Sequence, residues 1–295
     1  MAHDTPKIGA HVSTQGGLAN AFENAKKIGA EAIQFFGSSP QQWAVREPKP
    51  EDIEKFKTAH KKAGDMPVFL HAAYLVNLAS PNEITRANSI QSLIGHLEIC
   101  EAIGAEGLIF HIGSAVSSKA LATEEQRAVK EQAIEFLVSG VKKVLEKVKG
   151  NSLIILENSS AGGAKLGATS EEIGLILNKI KSKRAKVCFD TAHALEAGVI
   201  KYEQVKEIKN TFDEWDKEIG LENIIAIHAN DSKTPFASHN DRHENIGEGC
   251  INLAGFKNLA KEYRLKDKVW LLEVPGFDNL GPDKKNIDIL KSCFG

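Results

Sequence analysis

Six short apolar runs in this chain end in a side chain that can hold a metal or move a proton. Val68-Phe69-Leu70 is closed by His71, Leu108-Ile109-Phe110 by His111, Ile154-Ile155-Leu156 by Glu157, and Val187-Cys188-Phe189 by Asp190. Ile225-Ala226-Ile227 is closed by His228 and Trp270-Leu271-Leu272 by Glu273. His193 follows Asp190 by three positions, and Asp241-Arg242-His243 adds an acid and an imidazole two residues apart. A single ending of this kind is ordinary, a capping acid or a core-edge histidine. Repeated six times, it points to one shared site. The nine candidate ligands are imidazoles and carboxylates without a cysteine, a set that suits zinc or manganese at catalytic sites with an open position. They are too many for one ion and, with a bridging carboxylate, could hold two or three. Paired ions serve phosphoester hydrolysis: one lowers the pKa of bound water from about 15.7 toward ~7, and others hold the phosphoryl and leaving oxygens.

Scattered ligands need elements that bring them together. A continuous apolar run is the mark of a strand buried on both faces, as in a parallel sheet beneath helices. Strands are expected at 7–12 and 32–36 and at the six runs. Helices are expected up to about Ile28, over Pro50 to Ala63, from a Ser80-capped start to about Ile103, and over Thr123 to Val148. Others are expected from Thr169, from Gly198 to about Gly220, over Leu253 to Tyr263, and at the end of the chain. Eight strands alternating with helices give an α/β fold, a single (β/α)8 TIM barrel spanning residues 1–295, with its active face at the C-terminal ends of the strands. The closing residues then converge on one mouth. His193 falls in the loop after the sixth strand. The longest loop, from Ala229 to Gly249, carries Asp241 and His243, and loops of that length in compact domains usually serve function.

The 295 residues are 42% hydrophobic and 26% charged, a globular composition. No apolar run approaches the ~18 residues of a membrane span, and the first residues have no charged-then-apolar signal pattern. Cys100, Cys188, Cys250 and Cys293 lie far apart and are expected to be reduced packing residues of a cytoplasmic protein. His3, His60 and His96 are expected on the surface. A net charge of −2 neither favours nor excludes a nucleic-acid partner, because bound cations would reverse it locally.

Several stretches, in order along nearly the whole chain, resemble the endonuclease IV family of zinc-dependent apurinic/apyrimidinic endonucleases. They are Gly9-Ala10-His11-Val12-Ser13, His71-Ala72-Ala73-Tyr74-Leu75-Val76-Asn77, His111-Ile112-Gly113-Ser114, Leu156-Glu157-Asn158, Phe189-Asp190-Thr191-Ala192-His193, His228-Ala229-Asn230-Asp231-Ser232-Lys233, Asp241-Arg242-His243-Glu244-Asn245-Ile246-Gly247 and Leu272-Glu273. The resemblance implies three zinc ions, with manganese an option at one site. The first is held by His71, His111 and Glu157. Glu157 bridges to a second, held with Asp190, His228 and Glu273, and the third uses His193, Asp241 and His243. It implies hydrolysis of the phosphodiester 5′ to an abasic site in double-stranded DNA, with metal-bound hydroxide as nucleophile and Glu157 as the orienting base. Tyr74 and Leu75 would fill or flank the gap left by a flipped nucleotide, and His11 and Gln41 would contact DNA. A monomer is expected. The chain departs from the family's usual residues at Gln41, Ile112, Ala192 and Ala237-Ser238-His239, and at no ligand position.

A second reading uses fewer of these residues. Glu157, Asp190, His228 and Glu273 alone would make the one-metal site of a sugar isomerase or epimerase on the same barrel. Metal content separates the two.

Overall fold

The computed structural model describes residues 5–115 and 123–295, with side chains from 127 onward in the second stretch. The strands are β1 Lys7–His11, β2 Ile33–Phe36, β3 Val68–His71, β4 Gly107–His111, β5 Leu153–Glu157, β6 Ala185–Asp190, β7 Ile224–His228, β8 Asp231–Ser232, β9 His243–Glu244 and β10 Val269–Leu272. Eight of them close a parallel barrel in the order β1-β10-β7-β6-β5-β4-β3-β2, and β8 and β9 pair antiparallel inside the long loop. The helices are α1 Asn20–Ile28, α2 Pro50–Lys62, α3 Glu83–Ile103, α4 Thr123–Lys147, α5 Ser170–Ile180, α6 Thr191–Glu196, α7 Val205–Ile219, α8 Asn252–Leu259 and α9 Lys284–Lys291.

Strand side chains alternate between two faces, so residues two apart share one. Outward residues such as Leu70, Phe110, Leu156 and Phe189 join the helices in the larger apolar core. Inward residues form a separate small cluster: Ala32, Phe69, Ile109, Ile155, Cys188, Ala226 and Leu271. This is the packed floor of the barrel. Two residues further along each strand, in the same phase, stand Gln34, His71, His111, Glu157, Asp190, His228 and Glu273. The same phase on β1 runs from Gly9 to His11, and a side chain at Gly9 would run into the backbone of Ala32. Six strands, β3 to β7 and β10, therefore point an apolar residue at the floor and the polar residue that closes their apolar run at the rim.

Several local expectations are corrected. His193 lies not in a loop but in the first turn of α6, because the Asp190 side chain caps that helix by accepting from the His193 N–H at 2.7 Å. Asn82, not Ser80, caps α3, accepting from Thr85 N. The helix expected from Gly198 starts at Val205, and α8 stops at Leu259. His96 is fully buried, since it shares the inward stripe of α3 with Ser92, Leu93 and Cys100, and its ring bonds Ser92 O and Ser38 Oγ. His60 is half-buried, held by Met66 O at 2.7 Å. His3 lies outside the described residues. All four cysteines are free, but Cys250 is exposed rather than packed. Among the described residues no helix is long and apolar enough to cross a membrane.

Candidate functional site

Glu157 stands at the centre of the rim, fully buried at the end of β5. Its two oxygens face different partners. Oε2 lies 3.3 Å from His71 Nε2 and 3.3 Å from His111 Nε2. Oε1 lies 3.0 Å from His228 Nδ1 and 3.3 Å from His193 Nδ1. On the far side, His228 Nδ1 is 3.2 Å from Glu273 Oε2. Asp241 and His243 do reach the same place from the long loop: Asp241 Oδ2 is 3.2 Å from His193 Nε2, and His243 Nε2 is 3.7 Å from both Asp190 Oδ2 and Asp241 Oδ1.

Close-set ligand atoms fall into overlapping groups: His71, His111 and Glu157; Glu157, Asp190, His228 and Glu273; Asp190, His193 and His243; and His193, Glu196 and Asp241. All nine sequence-predicted ligands belong to one or another. The hydrogen bonds suit metal holding. His71 Nδ1 faces Ala72 O at 2.8 Å and His193 Nδ1 faces Asn158 O at 2.8 Å. A carbonyl can only accept, so each ring puts a proton there and turns Nε2 toward the cluster. His228 is turned the other way, with Nε2 on Gln34 Oε1 at 2.8 Å and Nδ1 toward the carboxylates. His193 Nε2 and His243 Nε2 are buried with no hydrogen-bond partner among the described residues. Buried ring nitrogens are costly to leave unpaired, and a divalent cation would satisfy both. The donor set thus fits a multi-metal centre.

Electrostatics agree. Burial pushes the Glu157 carboxyl up, but the His228 and His111 imidazoles outweigh it and hold it well below the usual carboxylate range. Burial lowers His193, yet Asp190 and Asp241 raise it well above the ordinary imidazole value. His228 is likewise lowered by burial and raised further by its anionic neighbours, of which Glu273 and Glu157 are the effective ones. Cys188, beside it, stays a neutral thiol because burial pushes its own pKa up to about 12.

Three amides and an acid were not found by a search for His, Asp and Glu at strand ends. Gln34 donates to Glu273 Oε1 at 2.5 Å and accepts from His228, tying two ligands together. Asn158 bonds the Asp190 backbone in both directions, at 2.6 Å and 3.1 Å. Asn230 donates to Asp190 Oδ2 at 2.7 Å and accepts from Glu273 N at 2.7 Å. Asp231 gathers the long loop, accepting from the backbone N–H groups of Ser232, Gly247, Gly249, Ile251 and Asn252. A signal for Gln34 did exist, as the one polar residue of Ile33-Gln34-Phe35-Phe36 in the phase of the other strands.

The remaining predicted residues surround this cluster. A cavity of ≈ 210 Å³ opens on it, lined among others by Tyr74, Asn77, His111, Glu157, His193 and Asp241. Tyr74 is 64% exposed at its lip, and the next residue, Leu75, is 38% exposed. The Tyr74 ring stands 6.1 Å from that of His111. His11 packs behind the cluster, 3.6 Å from Glu273 Oε1. Gln41 is exposed on the connection from β2 to α2.

Known proteins place this arrangement. Residues 22–293 match the family described as xylose isomerase-like TIM barrel. A protein named "Probable endonuclease 4" from Persephonella marina is 37% identical over 270 residues, 91% of each chain. Its namesake from Aquifex aeolicus is 36% identical over 294 residues, 97% of each. The chain belongs to the endonuclease IV family. The crystal structure of endonuclease IV from Thermus thermophilus superposes with a TM-score of 0.84 at 30% identity, covering 98% of both chains. A D-tagatose 3-epimerase-like protein superposes at 0.70 with 21% identity over 97% of this chain and 96% of its own, a likeness of fold alone. As an endonuclease IV family member the chain is an enzyme of the nuclease class, and its barrel rim is the candidate place for the chemistry.

Proposed function

We propose that this chain is a DNA-repair hydrolase that cuts the phosphodiester 5′ to an abasic site in duplex DNA, leaving a 3′-hydroxyl and a 5′-deoxyribose phosphate. It acts as a cytoplasmic monomer with three zinc ions at the barrel rim. The observation that carries this reading is the placement of Glu157, one oxygen toward His71 and His111 and the other toward His228 and His193. A carboxylate so placed can bridge two cations. His71, His111 and Glu157 would hold the first; Glu157, Asp190, His228 and Glu273 the second; and His193, Asp241 and His243 the third. Bound divalent ions would supply Lewis acidity and a more acidic water.

The protein's own groups do the rest. Glu157, kept ionised by its imidazole neighbours, orients the attacking water. Gln34 and Asn230 fix the carboxylates of Glu273 and Asp190, so these ligands need no reorganisation as charge develops on phosphorus. Tyr74 and Leu75, exposed beside the cavity, occupy the space vacated by the extruded nucleotide. Extrusion costs least where a base is already missing, which gives selectivity for the lesion. His11 and Gln41 are assigned to DNA contact.

The test is metal analysis of the purified protein together with nicking of a duplex bearing one abasic site. Two or three ions per chain and a cut on the 5′ side of the lesion are expected. The tight group of Glu157, Asp190, His228 and Glu273 favours one other reading, a one-metal sugar isomerase or epimerase. One ion per chain with no nicking would move the assignment there.

A further inference from the structure

We infer that Glu196 is an additional protein ligand of the third cation position, beside His193, Asp241 and His243. The inference rests on the reading of the rim as a metal centre. Glu196 follows His193 by three residues on α6, so the two side chains leave the helix on neighbouring positions. It is completely buried. Its Oε1 is fully employed by the long loop, accepting from Ser232 Oγ at 2.7 Å, Thr234 Oγ1 at 3.3 Å and Arg242 N at 3.1 Å. Its Oε2 is buried and accepts nothing among the described residues.

That bare oxygen has company. Among the described residues four buried side-chain polar atoms lack a hydrogen bond: His193 Nε2, His243 Nε2, Glu196 Oε2 and Trp215 Nε1. Two of the first three belong to proposed ligands of one position. Ligand atoms of Glu196, His193 and Asp241 lie within 4.8 Å of one another. Native proteins pair nearly all their buried polar atoms, and a bare carboxylate oxygen is among the costliest to leave alone. A cation held by that group would pair the bare atoms of His193 and Glu196, and His243 shares His193 with it in the neighbouring group. Glu196 would also add a carboxylate to those of Asp241 and Asp190 around these imidazoles. Because Glu196 holds the Arg242 N–H midway between Asp241 and His243, it would join the ion to the loop that supplies those ligands.

Glu196→Gln tests this, since the amide keeps a carbonyl oxygen for the loop's donors and removes the charge. Metal-loaded wild type and variant are dialysed against a chelator, zinc per chain is followed with time, and the visible spectrum of the cobalt-loaded proteins is recorded. The third ion is expected to leave the variant at least about tenfold faster, with an altered cobalt spectrum and an unchanged melting point of the metal-free protein. Glu196→Asp, which keeps the charge on a shorter arm, provides the same comparison if the glutamine variant does not fold, and should fall between. Equal retention and equal spectra in the variants would overturn the inference and leave Glu196 as a loop anchor only. A wild type that binds no metal at all would instead bring down the metal-centre reading beneath it.

Discussion

The barrel interior has two storeys built in the same strand phase, and they obey opposite rules. The floor is Phe69, Ile109, Ile155, Cys188, Ala226 and Leu271, all apolar and fully packed. Two residues higher stand His71, His111, Glu157, Asp190, His228 and Glu273, most of them nearly as buried and all of them ionisable. Burial stabilises the floor by removing apolar surface from water. The same burial works against every charge at the rim, where imidazole–carboxylate pairing recovers part of the cost. The difference teaches that equal depth does not mean equal purpose: the floor holds the strands in register, and the rim uses that rigidity to keep costly groups in place.

The contrast can be broken or sharpened by experiment. Glu157→Gln should reduce abasic-site nicking by about 10³-fold while binding to the same duplex persists in a gel-shift assay. Near wild-type cleavage would refute the central role given to this carboxylate. One storey down, Ile155→Ala should destabilise the protein by about 3 kcal/mol, read from urea unfolding, with nicking by the remaining folded fraction at the normal rate. A loss of cleavage without a loss of stability would erase the distinction between floor and rim. Tyr74→Ala, at the exposed lip, should weaken binding to an abasic duplex by about tenfold and leave both metal content and melting point alone. Binding of wild-type strength would remove Tyr74 from the DNA contact surface.

Acidity provides the smallest and most diagnostic effect. In the metal-free rim His193 and His228 are held protonated above the ordinary value of 6.5 by adjacent carboxylates. Their pairing contributes stability fully below that value and loses it as pH rises through the raised folded values. Metal bound at the proposed positions would displace those protons, so its loading should strengthen over the same rise. Melting curves of the chelated and the zinc-loaded protein should therefore diverge as pH increases from about 6 to about 9. Parallel curves would mean that protons and metal do not compete at these rings.

The sequence made the storeys visible because period two and apolar runs are both local signals. Once Ile155 is inward, Glu157 must be as well, and the six strand ends follow from that rule. Asp241 and His243 were reachable because their loop is too long to be a mere connection. What stayed hidden depends on contacts across the fold. The phase of Gln34 on β2 marks it as inward, but its partners Glu273 and His228 come from strands far away in the chain. Asn158 and Asn230 matter only because neighbouring strands bring them to Asp190. The loop expected at His193 misses the capping turn that Asp190 makes with it, although the three-residue spacing carries that signal. The surface position expected for His96 weighs a polar residue type above its place on the inward stripe of α3.

The five backbone amides collected by Asp231 carry one further consequence. They fasten the far end of the long loop from a single carboxylate, and no side chain of the segment from 233 to 240 takes part. That segment meets α6 through main-chain bonds, Ala237 N to Leu195 O and His239 N to Glu196 O, and through the Thr234 hydroxyl on Glu196 Oε1. Changes at its outward side chains that keep Thr234 and suit the left-handed backbone at 237 and 239 would leave the imidazole and carboxylate that follow undisturbed. This stretch is where the surface beside the rim could change its chemistry without rebuilding the cluster behind it.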